Sequence, residues 1–338
     1  MRTDQNILVI RFSSIGDIVL ATSPLKTIRT AWPEANLTFL TLDAFSPMLE
    51  FHPDIDAMIS LRRSLSLKEL WEFSAYVKEK AYNRIYDLHN SLRSRIVTLK
   101  TDSPIHRIEK PRWNRFMLYQ FHQNNFPDDF STRLNYHQHL GEIWASDLGL
   151  PPTNLVVSGH EKSEAKKRLS KLKVARDYVA VVPGAAWAQK QWSVDRYADA
   201  IEKIKYGLGM DSIILGSQKD NICFEISKKS SGVNLAGKTD LRQAMAVLAN
   251  AKHIIGSDTG LVHAAEALGV PVSMVLGPTS SETGGGVSLE ISGNVERDLW
   301  CRPCSQNGKN PCYRSSQNCM ESISVNDVIE SIPGEQVF

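Results

Sequence analysis

Four stretches of this chain hold residue types that could do chemistry. The first is Arg11-Phe12-Ser13-Ser14-Ile15-Gly16-Asp17. Gly16 permits a tight turn, and Asp17 then stands at the start of a helix. Two roles fit that carboxylate. It caps the helix, where the dipole favours its charge, or it is held still enough to take a proton from a hydroxyl. A fixed cap is also a fixed base, so both can hold. The second stretch is Pro183-Gly184-Ala185-Ala186-Trp187-Ala188-Gln189-Lys190-Gln191-Trp192-Ser193. Gly184 lets backbone N–H groups approach a phosphate, and Lys190 offers a point charge; the plain alternative is a surface loop with a solvated lysine. The third is Gly256-Ser257-Asp258-Thr259-Gly260-Leu261-Val262-His263. The N–H groups of Thr259 and Gly260 at a helix start make an anion site. Simple capping by Asp258 or Thr259 explains the same pattern, and a lone His263 one turn into the helix reads equally as a packed residue. The fourth is Cys301-x2-Cys304-x7-Cys312-x6-Cys319. Four thiols opening with C-x-x-C suit an all-thiolate structural metal, zinc or iron, or else four reduced, partly buried thiols. Such a metal would not be catalytic, because thiolate saturation leaves no open coordination position.

The elements that must position these residues alternate. Ile7–Arg11, Leu37–Leu42, Ala57–Leu61 and Arg84–Leu88 read as strands, with helices over Ile18–Trp32 and Leu67–Lys80. Pro24 predicts a kink or break in the first helix. Pro104 to Asp129 loses the alternation, and Leu134–Leu148 reads as a helix stopped by Gly149 and followed by Pro151 and Pro152. The alternation then restarts. Helices are predicted over Glu161–Lys171, Ser193–Ile204, Asp220–Lys229, Leu241–Asn250 and Leu261–Leu268. Strands are predicted over Tyr178–Val182, Ser212–Leu215, Val233–Leu235, His253–Ile255 and Val270–Val275. Strand–helix alternation of this kind implies βαβ units on parallel sheets, so the chain is α/β with two consecutive halves. The boundary is set at residues 155/156. Open α/β sheets bind ligands at the carboxyl ends of their strands, which is where the first three stretches fall.

Composition bounds the function. The chain has 338 residues, 42% of them apolar and 22% charged, with a net charge of +2. That excludes a disordered chain, and no strong overall charge attracts nucleic acid. Five cysteines are too few for a disulfide scaffold. No secretory signal opens the sequence, and the longest charge-free stretch, Leu268–Ser281, is too short to cross a bilayer and contains two prolines. A cytoplasmic protein is expected, with peripheral membrane contact left open. From Arg84 to Arg115, eight basic residues stand against three acids, interleaved with aromatics. Arginines such as Arg93, Arg95 and Arg115 suit carboxylates and phosphates. No nucleic-acid-binding motif accompanies them, and a solvated basic surface is the plain alternative.

Taken together, the motifs resemble the ADP-heptose:lipopolysaccharide heptosyltransferases, glycosyltransferase family 9. The resemblance rests on Ser13-Ser14-Ile15-Gly16-Asp17, on the segment Asp87 to Ser94, on Pro183-Gly184-Ala185 through Lys190 and Trp192, and on Ser257-Asp258-Thr259-Gly260-Leu261-x-His263. It implies a GT-B fold, two Rossmann-like domains facing across a cleft, with the acceptor in the first domain and the nucleotide sugar in the second. It also implies an inverting, metal-independent transfer of heptose from ADP-heptose to the lipopolysaccharide inner core, with Kdo-lipid A or the heptosylated core as acceptor, at the cytoplasmic face of the inner membrane. Asp17 would be the base and Lys190 would neutralise the leaving diphosphate. Gly16, Gly184, Ala185, Gln218, Asp220, Asp258, Thr259, Gly260 and His263 would line the donor, and Ser14, Arg93, Arg95 and Arg115 the acceptor. No cofactor is implied for catalysis. Ala185-Ala186 stands where some members have Thr-Thr, and Ser193 where many have Pro, which leaves the donor less defined. Another nucleotide sugar or acceptor, a same-fold epimerase, and a catalytically silent nucleotide-sugar binder are the competing readings.

Overall fold

The structure, a computed structural model, describes residues 5–333. Its contacts divide the chain into two units: one runs to Lys110 and resumes over Thr132–Val156, the other comprises Pro111–Ser131 and the chain from Val157 onward.

The first unit is built from β1 (Asn6–Ile10), α1 (Ile15–Leu20), α2 (Ser23–Ala31), β2 (Asn36–Leu42), β3 (Ala57–Leu61), α3 (Leu67–Glu79), β4 (Arg84–Asp87), α4 (Leu92–Val97) and β5 (Ile105–Arg107). The strands pair in parallel in the order β3-β2-β1-β4-β5, with Ile7 opposite both Leu37 and Arg84. β1 is central, and Ile7 to Ile10 are fully buried, as an unbroken apolar run on a two-faced parallel sheet must be. Leu8, Ile10, Leu40 and Ile85 form one core with Leu70 and Val77 of α3 and Val97 of α4. The expected first helix is two. The break falls at Ala21–Thr22, so Pro24 enters α2 in its first turn, where its missing N–H leaves no bond unmade.

After β5 the chain forms α5 (Arg112–Phe121), and then α6 (Thr132–Gln138) back in the first unit. The expected boundary at 155/156 places residues 111–131 in the first half. Instead they pack with the second: Tyr119 lies beside Thr283, and the His122 ring meets Trp300 edge-on at 5.7 Å. The helix expected over Leu134–Leu148 stops at Gln138. Gly141 takes a φ of +71° there, and a Cβ on it would lie 2.9 Å from the His106 ring.

The second unit continues with α7 (Gly159–Lys171), β6 (Tyr178–Val182), α8 (Val194–Leu208), β7 (Asp211–Ile214), α9 (Asn221–Lys229), β8 (Val233–Asn234), α10 (Leu241–Leu248), β9 (His253–Ser257), α11 (Gly260–Ala267), β10 (Val272–Val275), β11 (Gly293–Val295), α12 (Asn318–Glu321) and α13 (Val325–Glu330). Its six strands are parallel in the order β11-β10-β9-β6-β7-β8. The order reverses beside β6, whose neighbours are β7 and β9. In the first unit it reverses beside β1, whose neighbours are β2 and β4. Crevices at such reversals are where open α/β sheets take ligands. Among the described residues no helix is long and apolar enough to cross a membrane.

Candidate active site

In the first unit the loops after β1 and β4 meet. Asp17 is the third residue of α1 and reaches back to Ser14, whose backbone N–H and Oγ–H both donate to its Oδ2, at 3.1 and 2.9 Å. Arg11 adds a third donor to the same oxygen, with Nη2 2.7 Å away. Among the described residues no contact engages Oδ1. Arg11 is itself locked, donating through Nη1 to the Leu88 carbonyl at 2.6 Å and through Nε to the Ser13 carbonyl at 2.9 Å. Burial alone would raise the Asp17 pKa, but the Arg11 charge and the Ser14 donors outweigh it and hold the carboxyl below its ordinary range. The result is an ionised carboxylate with one oxygen anchored and the other open.

The loop after β4 is organised by Asp87, which is fully buried and accepts the N–H groups of His89 and Asn90 on Oδ1. His89 packs edge-on against Phe12 at 5.3 Å. Burial, reinforced by Arg11 and Lys110, pushes its pKa down to about 4, so the ring is neutral near pH 7. Its Nδ1 is buried without a hydrogen-bond partner. Arg95 donates to the Asn90 side chain at 3.1 Å, at the edge of this loop. Arg93 is spent on structure, bonding the Arg63 and Leu65 carbonyls. Arg115 lies on α5 and so belongs to the second unit, whereas Ser14, Arg93 and Arg95 belong to the first.

In the second unit the loops after β6 and β9 meet through an ion pair. Lys190 Nζ lies 3.1 Å from Asp258 Oδ2, which also accepts the Thr279 hydroxyl at 2.9 Å. His263 Nε2 stands 3.7 Å from Asp258 Oδ1, with its Nδ1 buried and unpartnered. Burial works against the Asp258 charge, yet His263 and Lys190 together hold its pKa well below the usual carboxylate range. Asp258 therefore aims two cationic or donor groups rather than capping α11. Thr259 is the N-cap of α11 and makes no side-chain cap bond. Gly256 is required by close approach: a Cβ there would lie 2.5 Å from Val262 and 2.8 Å from the Val182 carbonyl oxygen.

Gly184 and Asp220 come together in a way their separate positions did not reveal. A Cβ on Gly184 would lie 2.7 Å from the Asp220 carboxyl carbon, and Asp220 Oδ2 accepts the Ser217 N–H and hydroxyl. Asp220 thus holds the 217–220 turn against the loop after β6. Gln218 packs on Gly237, so the turn also meets the segment after β8. Ala185 accepts the Gln191 side-chain amide at 3.3 Å, which closes the loop on itself.

The cysteine-rich segment offers no ready metal cluster among the described residues. Among the described residues no group of three or more His, Cys, Asp or Glu is placed to hold a metal ion. Cys319 is packed in the apolar core, and burial pushes its thiol up to about 11. Arg314 Nη1 lies 3.7 Å from Cys301 Sγ, and Cys312 Sγ–H points at the Ser316 carbonyl. As placed, the four cysteines are not gathered into a ligand set for zinc or iron. The segment's contact with the site is different. A Cβ on Gly308 would lie 2.5 Å from Lys190 Cγ, and the Gln317 amide donates to the Gln189 carbonyl. The tail therefore lies along the Lys190 stem. Arg11, Thr279 and Gly308 are contributors to which the motifs assigned no role. The only signal for Arg11 was a cation ending an otherwise apolar strand.

The comparisons with known proteins agree with this architecture. A family model described as glycosyltransferase family 9 (heptosyltransferase) matches residues 70–313. Lipopolysaccharide heptosyltransferase 2 of Escherichia coli strain K12 is 28% identical over 297 residues, which is 82% of this chain and 84% of that protein. The solved structure of E. coli ADP-heptose lipopolysaccharide heptosyltransferase II superposes with a TM-score of 0.74 at 23% identity, covering 97% of each chain. That of E. coli heptosyltransferase WaaC with ADP gives a TM-score of 0.67 at 18% identity, covering 96% of this chain and 98% of the other. The likeness to these structures shows the fold, GT-B.

Proposed function

Because the chain belongs to glycosyltransferase family 9 and is therefore a glycosyltransferase, we propose that it moves a heptose from ADP-heptose to the lipopolysaccharide inner core, onto Kdo or onto the first heptose, by one inverting displacement. The observation that carries this reading is the carboxylate of Asp17, anchored through Oδ2 by three donors with Oδ1 left open.

An acceptor hydroxyl donates to Oδ1. As its oxygen bonds the anomeric carbon, the hydroxyl turns acidic and its proton passes to Asp17. The bond from that carbon to the diphosphate oxygen breaks on the opposite face, ADP leaves, and Asp17 returns its proton to water. A base of low pKa suits such a step, since the proton moves only once bond formation has acidified its donor. Charge building on the diphosphate is met by Lys190 and by the first-turn N–H groups of α11, donors fixed in advance by Asp258. The cation that a leaving diphosphate needs is thus supplied by the chain itself, and the transfer is read as metal-independent. Gln218 and Asp220 shape the wall beside the nucleoside, and Ser14 and Arg95 the acceptor side. The work is placed at the cytoplasmic face of the inner membrane, where a nucleotide sugar and a lipid-borne core can meet.

The test is to incubate the protein with ADP-heptose and two truncated cores, one ending at Kdo and the other at the first heptose, and to read the acceptor masses. A gain of one heptose on either core supports the reading and places the step. No gain on either, with ADP-heptose bound, overturns the inner-core assignment.

A further inference from the structure

Helix α5 turns its aromatic side outward. Leu118 is its buried residue, whereas Trp113, Phe116 and Phe121 are 67%, 48% and 58% exposed. The rings are contiguous. Trp113 stacks on Phe116 with centroids 5.6 Å apart, and Phe116 meets Phe121 edge-on at 5.8 Å. The next residue, His122, meets the ring of Trp300, which is 69% exposed and carries the Arg314 guanidinium over its face at 5.7 Å. Single exposed apolar residues need no explanation, but a run of touching aromatic rings on one surface does. Basic residues outnumber acids in the two segments that carry the rings: residues 110–123 contain three basic residues and no acid, and residues 296–316 four basic residues against Glu296 and Asp298.

We propose that this face of the second unit docks on an anionic bilayer surface. Trp rings sit at the headgroup level, where an apolar body and a polar N–H are both satisfied, Phe rings bury their apolar faces beside them, and Arg112 and Arg314 meet lipid phosphates. A short amphipathic helix lying in the interface plane has this composition. The same surface suits a second copy of the chain poorly, because a two-fold contact would set its cations against themselves. The inference goes beyond the proposed reaction and rests on it only for its use, which is to bring the enzyme to a lipid-borne acceptor.

The test is sedimentation with vesicles free of acceptor and nucleotide sugar. The protein is expected to bind vesicles of phosphatidylglycerol and phosphatidylethanolamine, to release at high salt, and to leave phosphatidylcholine vesicles largely unbound. A Trp113→Ala, Phe116→Ala, Trp300→Ala variant should bind the anionic vesicles more weakly by about tenfold or more, with an unchanged melting temperature because these rings are exposed. Equal binding by the variant, or no binding by the parent protein, overturns the proposal. So does a dimer, seen by light scattering, that the variant abolishes. If the parent binds vesicles but transfers no heptose to a delipidated core, the reaction is at fault and the surface stands.

Discussion

In the proposed reaction Asp17 is the base, and Arg11 is the residue that sets its two oxygens apart by holding Oδ2. If Oδ2 is held by Arg11, the catalytic form is ionised wherever the carboxyl is deprotonated, and that point lies below its ordinary value of 3.8. The acid limb of the rate profile should therefore lie below about pH 4. In Arg11→Gln the largest favourable charge is gone while burial remains, so the limb should move upward in pH; an unmoved limb would detach Arg11 from the base. Lys190→Ala should lower transfer by roughly 10²-fold, as the loss of a donor aimed at developing charge does. Steady-state rates with saturating acceptor would check it. At this scale the sequence singled out candidate residues and was silent about what they touch. Asp17, Lys190 and Asp258 were legible because each follows a strand and opens or precedes a helix. Arg11 was not, since a cation at the end of β1 looks like any strand terminus until its guanidinium is seen bridging to Leu88.

The elements hold these groups through loop contacts that can be tested singly. Gly308 takes a φ of +74° and leaves no room for a Cβ beside Lys190. Gly308→Ala should therefore destabilise by more than ~1 kcal/mol and raise KM for ADP-heptose, with a smaller change in kcat. An unchanged KM would mean that the tail does not set the lysine. Between α7 and α10, Arg242 donates Nε and Nη2 to the two Glu161 oxygens at 2.7 and 2.6 Å. The Arg242 bond is the main cause that pulls Glu161 from 4.5 down to about 2. A carboxyl lowered in the folded state adds stability above its unfolded value and loses it as pH falls through the folded one. The stability that this pair adds near neutrality should therefore fade between about pH 5 and pH 2. Urea melts of the wild type and Glu161→Gln should differ most near pH 7 and converge towards pH 2. Long apolar runs such as Ile7–Ile10 and Tyr178–Val182 made their strands readable. β5 and β11, three residues each at sheet edges, carry too little pattern, and α5 hides its register by exposing its rings.

For the whole molecule, both sheets reverse their strand order beside the strand that precedes a site loop, β1 in one unit and β6 in the other. That symmetry of architecture was legible in the alternation of runs, although no sequence repeat links the halves. What the alternation could not show is that residues 111–131 leave the first unit to pack on the second, because that depends on Tyr119 and His122 finding Thr283 and Trp300. The proposed division of labour predicts where ADP acts. Hydrogen exchange with saturating ADP should slow most over residues 183–193 and 258–263, and protection centred on residues 11–17 instead would reverse the assignment of donor and acceptor. The most direct measurement pairs two quantities in Asp17→Asn: the affinity for ADP-heptose and the rate of heptose transfer to the accepting core. An affinity within about twofold of wild type and a rate lower by roughly 10²–10⁴-fold are expected if Asp17 is the base. Transfer near the wild-type rate, or a loss of donor affinity that accounts for the fall, would contradict it.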